Sequence, residues 1–224
     1  MKRTAVFLIC FVLVFSCVTA SAVQSRTIFH SEDCDEKMIA LTFDDGPHPR
    51  YTRQILDILD KYGVKATFFF VGQNIEYYPE SALDVVKAGH EVGNHTYDHH
   101  RVEKMTQDDV LYEMTRCDDM IYSLSEYQTV LFRPPEGAFG EAVENSAAAL
   151  GYSVILWSID TRDWAHSSPA EIYENVMHNV DSGDIILMHD YVSYNSPTPK
   201  ALELIIPELQ RQGYRFVTVS ELIN

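Results

Sequence analysis

Residues 37–47 read KMIALTFDDGP. An apolar run with little polar alternation ends at two adjacent carboxylates, Asp44 and Asp45, and then a Gly-Pro turn signal. A strand of this kind is covered on both faces, as in a parallel sheet flanked by helices. Residues 66–71 (ATFFFV) and 184–188 (DIILM) repeat the pattern. The latter runs into His189, residues 90–94 (HEVGN) run into His95, and residues 152–157 (YSVILW) run towards Asp160. Residues 130–133 form a short strand ending at Arg133 and stopped by two prolines, and 215–219 (RFVTV) form the last. Helices are expected between them. Ile55, Ile58, Leu59 and Tyr62 recur at helical spacing over 51–62, and Gly63 ends that run. Further helices are expected over 79–89, 106–125, 141–150, 169–180 and 200–212. Thr106 with Asp109 is a capping-box analogue, and Pro169 suits a first turn.

About seven strands alternating with helices predict an α/β fold with a parallel sheet. The strand ends then share one rim, where such folds carry their chemistry. An open doubly wound sheet and a closed barrel both fit. Functional residues after so many strands favour the barrel. No glycine-rich phosphate loop follows a strand, which speaks against a nucleotide partner.

The first 22 residues have another purpose. Lys2 and Arg3 precede the apolar run 5–18 and then Ala20-Ser21-Ala22. That order is a secretory signal peptide, with cleavage expected after Ala22. The mature protein is then secreted or in the cell envelope. Lipid attachment at Cys17 and an uncleaved anchor are the rival readings. Residues 23–36 read as a short polar lead-in, and 37–224 as one domain. The net charge of −16 becomes −18 without Lys2 and Arg3. Such a surface excludes nucleic acid and tolerates neutral glycans. Cys34 and Cys117 are read as two buried thiols, with a disulfide the alternative.

His95 and His99 are four apart in HTYDH, so on a helical turn both rings would reach one point. With Asp45 they offer two imidazoles and a carboxylate to one divalent ion, zinc expected and cobalt the alternative. A turn explains Asp44-Asp45 as well as chemistry does when that motif stands alone. His189 at the rim suits acid/base work. Arg133 and Asp163 can each orient a partner, and an ordinary structural ion pair explains Arg133 equally.

TFDDGP (42–47), HTYDH (95–99), RPPEG (133–137), DTRDW (160–164) and ILMH (186–189) occur in the order of five motifs. Together they resemble the polysaccharide deacetylases of the NodB-homology group, carbohydrate esterase family four, over residues 38–223. The resemblance implies a distorted (β/α) barrel of about seven parallel strands. It implies Asp44 as catalytic base, with Asp45, His95 and His99 as metal ligands. Arg133 would tether the base, His189 would be the general acid, and Asp163 would orient it. Trp164 and Leu187 would wall an acetyl pocket. Glu136 stands where the family often has Tyr; its backbone N–H would still serve the oxyanion.

The expected function is metal-dependent removal of N-acetyl groups from an N-acetylhexosamine polymer, peptidoglycan or chitooligosaccharide, by a monomer. An O-acetyl esterase on xylan-type glycan and a silent glycan-binding domain are the alternatives. A two-carboxylate glycosidase fits poorly, since Asp44 and Asp45 are adjacent and cannot straddle a glycosidic bond at about 5 to 9.5 Å.

Overall fold

The computed structural model describes residues 26–32, 36–138, 140–192 and 195–224. The expected signal peptide and cleavage point, Cys17 and Cys34 lie outside the described residues. So does any pairing of Cys34 with Cys117. Cys117 is a fully buried free thiol, held against the Phe70 carbonyl at 3.3 Å. No helix of the described residues is long and apolar enough to cross a membrane.

Nine strands form one sheet: β1 (Thr27–Ile28), β2 (Met38–Asp44), β3 (Thr67–Phe70), β4 (Glu91–Asn94), β5 (Leu131–Phe132), β6 (Ser153–Ile155), β7 (Ile159–Asp160), β8 (Ile185–His189) and β9 (Arg215–Phe216). All pairings between them are parallel, in the order β1-β6-β5-β4-β3-β2-β8-β7, with β9 beside β2. The helices are α1 (Tyr51–Tyr62), α2 (Gly72–Tyr77), α3 (Pro79–Lys87), α4 (Gln107–Ser125), α5 (Glu141–Leu150), α6 (Pro169–Asn179), α7 (Thr198–Arg211) and α8 (Val219–Ile223). This is the distorted (β/α) barrel expected, with two strands more than the seven read from sequence.

The two additions explain the distortion. The stretch 152–157, read as one strand, continues instead into β7 with a change of partner. β6 pairs with β5, and β7, three residues later, pairs with β8. One segment therefore joins both ends of the sheet path through Leu156, Trp157 and Ser158. β1 comes from the polar lead-in and adds to the other edge of β6, with Thr27 opposite Val154. The last strand is also shorter than expected, because Thr218 caps α8 by accepting from the Glu221 N–H.

Strand alternation decides what faces the interior. Ile39, Leu41 and Phe43 of β2 point out into the large core under the helices. Ala40, Thr42 and Asp44 then share the opposite face. Ile186 and Met188 of β8 also pack outward, which leaves Ile185, Leu187 and His189 inward. The base of the interior is apolar, filled by Ala40, Phe69, Leu131, Ile155, Ile185 and Val217, with Val219 and Leu222 of α8 beneath. The polar residues of the same faces lie at the opposite, C-terminal end.

The helix boundaries follow local chemistry. Thr106 and Asp109 form a reciprocal capping box at α4, and Ser168 and Glu171 do so at α6, where Pro169 takes the first turn. Gly63 closes α1 at φ 65°, a conformation that favours glycine.

Candidate metal and active site

The parallel register brings the functional strand ends side by side. Asp44 lies opposite His189 on β8 and Phe69 on β3. Asn94 lies opposite Phe70 and Phe132, so His95 and Arg133 leave their strands together. Asp160 lies opposite Leu187.

Arg133 is fully buried inside the barrel. It donates to Asp44 Oδ1 at 2.7 Å, Thr42 Oγ1 at 2.8 Å, Leu156 O at 3.0 Å and Ile155 O at 3.1 Å. Its guanidinium also lies 4.1 Å from the centre of the Phe69 ring. A buried cation is tolerable only when paired and hydrogen-bonded, and here both conditions hold. The pair also fixes Asp44, whose second oxygen is 3.7 Å from His95 Nε2.

His95, His99 and Asp45 meet as expected, although not on a helical turn. Residues 95–99 are an irregular loop in which Thr96 (φ 66°) and His99 (φ 59°) take left-handed backbone. Glu113 of α4 holds the loop, accepting from the Tyr97 and Asp98 N–H groups at 3.1 and 3.0 Å. Asp45 is left-handed too (φ 73°), and Asn74 binds its carbonyl at 2.7 Å. Strained backbone of this kind persists where the surroundings over-determine it, and it clusters at functional sites.

The His95 ring is oriented by Nδ1 on the Arg133 carbonyl at 2.7 Å. Its Nε2 then faces Asp45 Oδ1 at 3.4 Å, and His99 Nε2 lies 3.0 Å from the same oxygen. Ligand atoms of these three residues lie within 4.8 Å of one another. Although close to both rings, Asp45 Oδ1 is buried and has no hydrogen bond of acceptable geometry. An orphaned carboxylate oxygen facing two imidazole nitrogens fits a divalent ion. The backbone carbonyl on His95 Nδ1 is the outer partner such a ligand needs. Burial pushes the Asp45 carboxyl up, but its contacts with His95 and His99 hold it far below the usual carboxylate range. It is thus ionised, as a ligand must be.

His189 faces this group from β8. Its Nδ1 pairs with Asp163 Oδ1 at 2.8 Å, while Asp163 Oδ2 accepts from the His189 N–H at 2.8 Å and Thr198 Oγ1 at 2.6 Å. Asp163 is fully buried. Burial lowers the His189 pKa, but the bond to Asp163 and its charge overcome that and raise it to about 9.

A cleft of about 400 Å³ connects these groups, lined by Asp44, Asp45, His95, His99, Glu136, Trp157, Asp160, Trp164, Leu187 and His189. Larger depressions exist, including one of about 700 Å³ beside β1, but that one gathers no such constellation. Every site residue read from sequence is at this cleft or holds a residue that is. Trp164 is half exposed, and its indole N–H reaches Asp160 Oδ1 at 3.2 Å. Glu136 has φ 58°, and its carboxylate lies 3.4 Å from Arg101, so it does not stand as an unpaired charge.

Sequence reasoning missed four contributors. Thr42 lies two residues before Asp44 on the same face, a signal that alternation could have supplied. Trp157 and Thr198 carry no local signature. Asp190, beside His189, is fully buried, and its Oδ1 has no partner. Thr52 Oγ1 donates to its other oxygen at 2.5 Å. Burial raises its pKa to about 7 against the effect of that bond. Gly46 packs directly on this carboxyl group: a Cβ there would come within 2.2 Å of both oxygens.

Residues 31–155 match the model of the polysaccharide deacetylase family. The chain belongs to that family. It is a hydrolase of the NodB-homology group, carbohydrate esterase family four. A peptidoglycan-N-acetylglucosamine deacetylase of Bacillus cereus is 44% identical over 192 residues, 85% of this chain and 90% of that protein. A solved peptidoglycan N-acetylglucosamine deacetylase, Bc1960 bound to an N-hydroxybenzamide, superposes with a TM-score of 0.84 at 33% identity, covering 89% of this chain and 93% of that one. An acetyl xylan esterase of Clostridium thermocellum, solved with a cobalt ion, has a TM-score of 0.77 at 34% identity, covering 83% and 90%. This polysaccharide deacetylase thus has relatives named for amide and for ester substrates.

Proposed function

We propose that this polysaccharide deacetylase removes N-acetyl groups from peptidoglycan, with chitooligosaccharide a further substrate. One observation carries the reading: the Asp45, His95 and His99 ligand atoms converge beside an Arg133-bound carboxylate and face an Asp163-bound imidazole. Asp45, His95 and His99 would hold one divalent ion, zinc or cobalt, which supplies Lewis-acid polarisation and lowers the pKa of water.

The protein's own groups do the rest. Asp44, fixed through Oδ1, takes the proton of the attacking water on Oδ2. Arg133 keeps that carboxylate aimed. The Glu136 N–H donates to the developing oxyanion. His189 stays protonated because Asp163 holds Nδ1–H, and its Nε2–H is delivered to the departing amine. Trp164 and Leu187 wall the space for one methyl group. Acetate and a glucosamine-type amine leave. The protein acts after export, as a monomer in the cell envelope or outside it. Amide substrates are favoured over esters because an amine needs a proton to leave, and His189 is a strong donor site at neutral pH.

The test is acetate release from peptidoglycan, chitooligomers and acetylxylan in parallel, with and without chelator. Release from the first two that stops with chelator and returns with zinc or cobalt is expected. Release from acetylxylan alone, or turnover that persists in verified metal-free protein, would overturn the reading.

A further inference from the structure

Beside the cleft lies a second groove, of about 570 Å³, that this chemistry does not use. Its walls are Arg50 and Tyr51 at the start of α1, His166 and Ser167 beyond Asp163, and the stretch 195–200 leading into α7. The groove is lined by two permanent cations, Arg50 and Lys200, and by no carboxylate. That is notable on a chain with 33 acidic and 17 basic residues. Both cations are exposed. The other described Lys and Arg residues supply every described Lys or Arg ion pair, so Arg50 and Lys200 have no acidic partner among the described residues. The N-terminal ends of α1, α6 and α7 also line the groove, through Arg50, Pro169 and Pro197. Their backbone dipoles add positive potential to that of the side chains.

The groove adjoins the reacting groups. Thr198, the first residue of α7, binds the same Asp163 that holds His189. On the other side the His48 ring stacks on Tyr51 at 4.7 Å and meets the edge of Tyr191 at 4.9 Å, two residues beyond His189.

We propose that this groove binds a carboxylate carried by a substituent of the glycan while a sugar in the cleft is deacetylated. This rests on the glycan deacetylase reading above. The ligand class is an acidic side group on an N-acetylhexosamine chain, either a lactyl carboxylate or the carboxylates of a peptide attached through it. The groove then selects acid-bearing chains over neutral ones, despite the repulsion from the protein's overall negative charge.

The experiment titrates three soluble probes into the purified protein by calorimetry: a neutral chitotetraose, a muramic-acid oligomer with free lactyl groups, and the same oligomer bearing peptide stems. The double variant Arg50→Gln/Lys200→Gln is titrated alongside. The Kd of an acid-bearing probe should rise about fivefold to tenfold in the double variant at low salt, and the difference should shrink at high salt. The Kd of chitotetraose should not change. A rise for the free-lactyl probe alone assigns the lactyl carboxylate, a rise for the stem-bearing probe alone assigns the peptide, and a rise for both shows that the groove takes either carboxylate. Unchanged Kd for both acidic probes would overturn the proposal. Acetate release from all three probes is measured in the same samples. If the wild-type protein releases none from any glycan, the deacetylase reading fails, while the titration still decides the groove.

Discussion

Replacing Asp163 by Asn should move the pH dependence of the reaction rather than only lower it. Asp163 Oδ2 already accepts from the His189 N–H and Thr198. The Asn carbonyl oxygen therefore takes that place and turns its NH2 towards His189 Nδ1. A donor meets a donor when the ring is protonated, so the imidazolium is disfavoured. Burial, now opposed only by the charges of Asp45 and Asp44, then carries the ring from about 9 back towards its ordinary 6.5. A drop of roughly 2.5 units is about 3 kcal/mol between the two protonation states. At pH 8 the protonated fraction falls from about 90% to about 3%, some thirtyfold, whereas at pH 6 the loss is under about twofold. The alkaline limb of the kcat/KM profile on a chitooligomer should accordingly move from near 9 towards 6.5. The sign for stability agrees: a raised folded pKa stabilises fully below 6.5 and stops doing so as pH rises through 9, so the variant loses most stability at low pH. A loss of rate equal at pH 6 and pH 8 would refute this reasoning and leave Asp163 a purely steric support.

Three further expectations follow from the same geometry. Asp44→Asn should retain the metal and lose about 10²–10⁴ in kcat, while Asp45→Asn should lose metal first; equal metal loss in elemental analysis would remove the division of roles. Glu136→Gln should alter kcat/KM on neutral chitooligomers by less than about twofold, because its carboxylate is exposed and paired with Arg101; a large loss would assign it chemistry. Asp190 is protonated when folded up to about pH 7 but ionises near 3.8 when unfolded, so it costs stability increasingly between those values. Asp190→Asn should thus gain on the wild type by several kcal/mol between pH 4 and pH 8 in denaturant titrations of metal-free protein, and a constant difference would show that Asp190 does not titrate there.

The strand ends were legible because apolar runs mark buried parallel strands and the chemical residues follow them directly. Alternation along β2 also separates Asp44 from Phe43 without any coordinates. The HTYDH spacing brought the two imidazoles together by the wrong local structure, since a helical turn and a left-handed loop both return a side chain after four residues. The loop depends on Glu113, a residue of α4 that no local pattern connects to it. The break between β6 and β7 was hidden because residues 154–157 (VILW) are apolar throughout, and a change of partner leaves no mark in composition. Thr198 and Asp190 matter through contacts made far along the chain. The lead-in strand was too short and too polar to show a period.

That lead-in strand determines where the protein can begin. The Val154 and Leu156 N–H groups donate to the Arg26 and Ile28 carbonyls at 2.8 and 2.7 Å, and His30 bridges to Asp184. A chain starting at residue 37 keeps every candidate catalytic group but leaves one edge of β6 with unpaired amides and carbonyls. Such an edge is a template for another chain, so the minimal domain is prone to self-association even though its active site is whole. Proteolytic trimming past Ile28 uncovers the same edge.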